Sequence, residues 1–580
     1  MKNRKFIIIC NSIILLWMLI SSSCEDMMGH YLDKAPGVDV TLDTIFSTQR
    51  NAETFIVNMY KVGIHTDLPK WDDLDGRRDA IYACTTDEAE NGASWYWCQN
   101  FNNAAQNPNW SGDDGRRWVR WRAIRNTNIL LEKINDVPST EPNFKEQAAG
   151  QARFIRALNY FEMLKRYGGM PIVRKSLDMT DDLKIPRSTF AEMVDFIIGD
   201  CDTAAMLLPD KWSETFTGKA TKGAALMLKS RTLLYAASPL FNSNTPYIDL
   251  PGNNDIPTYG SYDKNRWKKA ADAAKAVIDW APSGSIALVT NQGVDKNYRY
   301  VWEVPDNQEI ILSTKFAGLE GYWYMAFKSI NNFYISEAGT SVTFNFVKKY
   351  EKIDGTPQNW APNGGDDLNQ KYAELDPRFA QSVAYNGSYW NPDFPSLKMF
   401  QGTDEVAANQ PPRIGCKGGH WLRKWIPGTL TSSTNAYVNW YLFRLAEAYL
   451  NYAEAINESE GPVAEAYDAV NIIRKRSGMP DFPPGLSQEE FRKKIRNERS
   501  IELAFEDHRL WDIYRWMIAE EDGVMRGNMW GLNIYRIGTS NEYRYEPYVF
   551  ETRTFNKSMY LHPMMQNEIN KGYLIQNPGW

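Results

Sequence analysis

Four stretches in the first half of the chain carry apolar residues at three- and four-residue intervals, the period of a helix with one buried stripe. In GQARFIRALNYFEMLKRYGGMPIV the stripe is Phe154, Ala157, Phe161 and Leu164. Gly168 and Gly169 supply the stop, and Pro171 begins an extended exit. STFAEMVDFIIGDCDTAAMLLP, KGAALMLKSRTLLYAASPLF and RWKKAADAAKAVIDWAP repeat the pattern, each ending near a proline or a loop. Helical hairpins are the expectation for this half.

Between Ile286 and Asn435 the period dissolves into short β-like runs, EIILSTKF and SVTFNFV among them, separated by Gly, Pro, Asn and Asp. This loop-rich region holds GLEGYWYMAFKSINNFY. Helical periodicity returns in YLFRLAEAYLNYAEAINESEGPVAEAYDAVNIIRKRSGMP, a helix, a break at Gly461 and Pro462, and a second helix. Ala446, Ala453, Ala455, Ala464, Ala466 and Ala469 let the two approach closely, and the pair resembles a tetratricopeptide-type hairpin. A strict repeat of about 34 residues is not visible.

The first residues follow a different logic. Lys2, Arg4 and Lys5 precede an apolar run from Phe6 to Ile20, the anatomy of a secretory signal. The run falls short of the roughly 20 apolar residues that span a bilayer and contains Asn11 and Ser12. Ser21 to Ser23 then lead into Cys24, which resembles the lipobox at which bacterial lipoproteins are cleaved and acylated. The alternative is an ordinary signal peptide followed by a chance cysteine.

Composition narrows the class. The 580 residues are 43% hydrophobic and 23% charged, an ordinary globular balance. The net charge of −6 is spread along the chain, leaving no basic stripe for a phosphate backbone, so nucleic acid is not an expected partner. With Cys10 and Cys24 set aside, Cys84, Cys98, Cys201 and Cys416 remain, too few for a disulfide scaffold. Cys84 and Cys98 are near enough in sequence to close a short loop, but connectivity stays open. There is no CxxC pair and no HExxH among the five histidines, and no metal or cofactor is expected. DDLDGRRD (Asp72–Asp79) and GDDGRRW (Gly112–Trp118) have oxygen ligands but not an EF-hand's spacing, and read better as charged turns.

Several stretches together resemble the SusD/RagB family of outer-membrane nutrient-binding lipoproteins. They are the lipobox-like Cys24, ARFIRALNYFEMLKRYGGMPIV, GKATKGAALMLKSRTLLY, RLAEAYLNYAEAINE, IRNERSIELAFEDHRLWDIYRW and the terminal YLIQNPGW, in that order along nearly the whole mature chain. The resemblance implies a mostly α fold, with tetratricopeptide-like helical hairpins and a loop-rich region with a few short strands. The implied organisation is a signal peptide over 1–23, an N-terminal helical part over 24–290, and a loop-rich and C-terminal helical part over 291–580, packed as one globular unit. It further implies no catalytic activity, a SusC-like TonB-dependent transporter as partner, and anchorage at the outer membrane through lipid on Cys24, exposed at the cell surface. Glu25 and Asp26 resemble the export signal of such lipoproteins.

The implied ligand is an oligo- or polysaccharide. A sugar ring has an apolar C–H face and a rim of hydroxyls, so its receptor needs flat rings beside amide or charged groups. The chain has 21 Trp, 31 Tyr and 25 Phe. Trp95 and Trp97, with Gln99 and Asn100 beside them, form one candidate platform on a loop, the alternative being that one Trp is core. Tyr322, Trp323, Tyr324 and Phe333 form a second. Two other readings stay open: a surface glycoside hydrolase, and a member of the same family that takes peptides or glycoproteins. Glu498, Glu502 and Glu506 lie four apart on one helical face, a poor way to flank both sides of a sugar. Arg499, Arg509 and Asp512 fall on the same predicted helix, so a charge network tying helices together is the expectation, and Arg444 and Glu447 read the same way.

Overall fold

The structure is a computed structural model that describes residues 41–64, 80–109, 116–213, 217–314, 339–402, 415–431, 433–434, 436 and 438–580. Cys24, Tyr322, Trp323, Tyr324, Phe333 and the Asp72–Asp79 stretch lie outside the described residues, as do positions 112–115.

The predicted stripes become helices with sequence-encoded starts. The long ones are α1 (Gln49–Gly63), α2 (Arg116–Lys133), α3 (Phe144–Tyr167), α4 (Phe190–Leu207), α5 (Lys222–Ala237), α6 (Asn265–Trp280), α7 (Leu445–Glu460), α8 (Ala464–Arg476) and α9 (Gln488–Glu502), followed by the shorter α10 (Arg509–Arg515). Thr48 and Thr221 accept amide hydrogen bonds at the starts of α1 and α5. Thr189 with Glu192, and Ser487 with Glu490, form reciprocal capping boxes on α4 and α9. Helix α3 ends at Gly168, whose φ of +76° suits glycine, and a Cβ there would lie 2.6 Å from the Pro257 backbone.

Each helix leans on the next: α1 on α2 and α3, then α3 on α4, α4 on α5, α5 on α6, α6 on α7, and α7 on α8 and α9. Buried alanines make this close approach possible. Ala270, Ala271, Ala453, Ala455, Ala466 and Ala469 pack with Leu233, Trp267, Leu450 and Phe491 into one apolar cluster. A larger cluster runs from Phe46 to Met564 and joins the helices to the irregular region. The fold is mostly α with small sheets, in agreement with the expectation.

Three small sheets support the irregular region. Strands β1 (Ala89–Asn91), β3 (Thr340–Val342), β5 (His420–Leu422) and β4 (Val383–Ala384) form one, in the order β1-β3-β5-β4. Strand β2 (Ile310–Thr314) pairs with β6 (Trp440–Arg444), and β7 (Gly527–Arg536) with β8 (Tyr543–Arg553). Two differences from the sequence pattern stand out. SVTFNFV is a strand only as far as Val342, because Thr343 then accepts the Phe346 amide and caps a helical turn over Phe344–Val347. The β7–β8 hairpin was not anticipated, although its strands are the longest among the described residues.

Candidate functional site

The Ala93–Phe101 run follows β1 and ends within a one-turn helix over Gln99–Asn102. Strand β1 is fixed by antiparallel pairing to β3, Ala89 opposite Val342 and Asn91 opposite Thr340. Across the turn, a Cβ on Gly92 would lie 2.9 Å from Gly415 O, so only glycine lets the two loops meet.

This geometry separates the two tryptophans. Trp95 is 73% exposed and Trp97 only 8%. Trp97 packs edge-on against Tyr82, with centroids 5.2 Å apart, and against Phe101 at 5.7 Å. It is therefore a core residue, because the turn leading into the Gln99–Asn102 helix directs Trp97 and Phe101 to the same buried face. The two-ring platform expected from the sequence reduces to one exposed indole. Tyr96 is half-buried against the core and lies 5.8 Å from the Trp95 ring. Gln99 and Asn100 are both partly exposed.

Beneath the loop lies a polar group that ring-counting missed. Glu90 is fully buried and accepts from Gln99 Nε2 at 2.6 Å, Asn102 Nδ2 at 3.0 Å and Arg553 Nη2 at 2.5 Å. Lys417 Nζ lies 3.5 Å away. Burial pushes the Glu90 carboxyl up to about 7 against the opposing pull of Arg553. Arg553, on β8, also donates to Thr86 O at 2.6 Å and Ala89 O at 3.1 Å, so the hairpin clamps the floor of the Trp95 loop. The sequence signal for this was the carboxylate-rich Asp87-Glu88-Ala89-Glu90 just before the rings. Cys84 and Cys98 are buried free thiols, both raised by burial, so hydrogen bonds and packing hold the loop.

The carboxylates of α9 and its exit lie in a buried ionic network. Glu498 accepts from Arg378 at 2.5 Å and Arg474 at 2.7 Å. Glu502 accepts from Arg444 at 2.7 Å and Arg378 at 3.1 Å, and also pairs with Arg476. Glu506 pairs with Lys424 at 2.5 Å and Arg444 at 2.8 Å. Burial opposes ionisation of Glu502, yet Arg476, Arg444 and Arg378 outweigh it and hold its carboxyl well below the usual range. Arg499 pairs with Asp512, Arg509 with Asp87, and Arg231 with Glu447. Groups so neutralised and enclosed tie helices together and have no access to substrate. Among the described residues no cluster of His, Cys, Asp and Glu could hold a metal ion, and no helix is long and apolar enough to cross a membrane.

A row of packed helical hairpins with an irregular, aromatic-bearing region defines a helical scaffold presenting irregular loops. The SusD family model matches residues 308–580, and a family model described as starch-binding and associating with the outer membrane matches residues 30–234. The chain belongs to the SusD family. A SusD-like protein of Formosa agariphila is 24% identical over 420 residues, covering 69% of this chain and 69% of the relative. One from Bacteroides ovatus is 22% identical over 531 residues, covering 88% of this chain and 83% of its own. A solved SusD-like protein of Bacteroides fragilis superposes with a TM-score of 0.76 at 28% identity, over 94% of this chain and all (100%) of its own. A laminarin-binding SusD-like protein shares the fold with a TM-score of 0.58 at 19% identity, over 92% of this chain and 100% of its own.

Proposed function

We propose that this chain is a surface receptor that captures an oligo- or polysaccharide and passes it to a SusC-like TonB-dependent transporter, held at the outer membrane by lipid on Cys24. The observation that carries the reading is the Trp95 indole, 73% exposed on a loop braced from below. An aromatic face held so far out of the core costs apolar burial and is compensated when a ligand covers it. Gln99 and Asn100 supply amides for the hydroxyl rim, and Lys417 is a further polar group 3.5 Å from the Glu90 carboxylate that holds Gln99. Tyr322, Trp323, Tyr324 and Phe333 stay in the proposal as a second platform on sequence grounds. Family membership and the laminarin-binding structural neighbour support a glycan over a peptide. The neutralised Glu498, Glu502 and Glu506 favour binding over hydrolysis.

Affinity electrophoresis of the purified protein through a panel of polysaccharides tests this. Retardation by at least one glycan, a loss of about tenfold in affinity with Trp95→Ala, and no release of reducing ends are expected. A Trp95→Ala protein that binds as well as the parent would remove the site, and release of reducing ends would replace the receptor with a hydrolase. Co-purification with the transporter, lost when Cys24→Ala frees the protein from the membrane, tests the partner and anchor.

A further inference from the structure

A largely apolar cavity shares no residue with the Trp95 loop. It measures about 440 Å³ and lies between α2, the end of α3, the strap that follows Gly169 and the C-terminal tail. Trp121, Met163, Met170, Leu183, Met564 and Leu574 form its walls.

Its walls are held apart rather than left unfilled by chance. Asn128 Nδ2 donates to Val173 O at 3.0 Å and Lys175 O at 2.9 Å, and the Val173 amide donates to Tyr160 Oη at 2.7 Å, which pins the strap to α2 and α3. The tail is fixed from its other side. Arg187 donates to Ile575 O at 2.8 Å and Asn577 Oδ1 at 2.9 Å, and the Met564 amide donates to Gln576 Oε1 at 2.7 Å. A wall so tethered cannot close on the space, and its methionine and leucine side chains offer water almost no hydrogen bonds.

The lining also selects a ligand class. Away from the rim, sugar hydroxyls against the Met163, Met170, Met564 and Leu574 walls would lose their hydration without finding partners. An aliphatic chain gains from every methylene it buries, and methionines adapt to its shape. The volume is in the usual range of small-molecule sites, about 300–1,000 Å³. At the rim, Lys571 Nζ and Tyr573 Oη both donate to Glu568 Oε2, at 2.7 and 3.2 Å. The Lys571 side chain is 55% exposed, and its ammonium has donors beyond the one given to Glu568. We propose that this cavity binds one aliphatic chain, with an anionic head at Lys571, taken either from a free fatty acid or from a membrane lipid.

Dodecanoate titrated calorimetrically into detergent-free protein carrying Cys24→Ala is the probe. Saturable binding at one site is expected. Leu183→Asp, at a position 57% exposed and so compatible with folding, places a charge at the mouth, and Leu574→Trp fills the space. Each is expected to weaken binding by at least about tenfold, since a charge beside the chain or the loss of its volume removes more than one methylene's worth of burial. Absence of saturable binding, or binding that neither variant changes, overturns the proposal. Flotation with phosphatidylethanolamine–phosphatidylglycerol vesicles separates the sources: co-flotation abolished by Leu183→Asp assigns a membrane lipid, and dodecanoate binding without flotation assigns a free fatty acid. Glycan retardation is expected to be the same in both variants and the parent, so this result and the receptor reading stand or fall separately.

Discussion

Arg444 is the position at which the buried network can be tested with a calculable outcome. It stands at the end of β6, its side chain 2% exposed. Its guanidinium donates to Glu309 at 2.9 Å, to Glu502 Oε1 at 2.7 Å and the Glu502 carbonyl at 2.6 Å, and to both oxygens of Glu506 at 2.8 Å. Arg444→Met keeps the apolar stem and deletes the charge. Glu502 retains Arg378 and Arg476, and Glu309 retains Arg476, but Glu506 is left with Lys424 alone. At an effective dielectric near 20, a charge pair about 4 Å apart contributes about 4 kcal/mol, and the carboxylates stay desolvated whether or not the arginine is there. The part of the loss that comes from stranding Glu506 has a ceiling, because an orphaned carboxyl can take up a proton; the lost contacts to Glu309 and Glu502 add to it. From the ordinary glutamate value of 4.5, protonation at pH 7 costs about 3.4 kcal/mol, and at pH 5 about 0.7 kcal/mol. The expected destabilisation is therefore about 3–5 kcal/mol at pH 7, shrinking by roughly 2–3 kcal/mol at pH 5. With about 2.1 cal/mol/K of unfolding entropy per residue over 580 residues, the neutral-pH loss is a fall in Tm of roughly 2.5–4 °C. Urea unfolding followed by tryptophan fluorescence, parent against variant at both pH values, measures it. A difference under about 1 kcal/mol at pH 7, or one that does not change with pH, would refute the account of a buried, mutually neutralised network.

Two further outcomes follow from the site. Trp97→Ala is expected to cost about 3–5 kcal/mol, as for other large-to-small core changes, whereas Trp95→Ala should change stability by less than about 0.5 kcal/mol; the same urea experiment on the pair checks the division into core and surface rings, and equal losses would contradict it. Glu88, buried under Phe505 and accepting its amide at 2.9 Å, is pushed by burial up to about 8, the amide opposing. A carboxyl raised in the folded state contributes stability that is fully present below its unfolded value of 4.5 and is lost as pH rises toward 8. Glu88→Gln keeps an acceptor for Phe505 and cannot ionise, so it should gain on the parent across that window by up to about 4 kcal/mol. Parallel stability–pH curves from pH 5 to 9 would contradict this.

The helical half of the molecule was legible because its information is local. A stripe such as Phe154, Ala157, Phe161 and Leu164, a cap such as Thr189 with Glu192, and a stop at Gly168 each act over one or two turns of chain, and the structure builds α3 and α4 accordingly. The ionic role of Glu498, Glu502 and Glu506 was legible too, but the single helical face expected for all three was not found. The helix ends at Glu502, Phe505 and Asp507 take positive φ, and Glu506 joins the network from the turn before α10, where packing also brings Arg378, Arg444, Arg474 and Arg476. What the sequence left undecided is what depends on distant segments meeting. Trp95 and Trp97 are chemically alike and two residues apart, and only the packing of Tyr82 and Phe101 makes one a core ring and leaves the other in solvent. The support under Trp95 comes from Arg553 on a hairpin more than four hundred residues away. The apolar cavity exists because the C-terminal tail is tied back by Arg187. Local periodicity reports which way a side chain faces relative to its own element. Whether that face meets another element, a ligand or water is decided when the remote segments arrive.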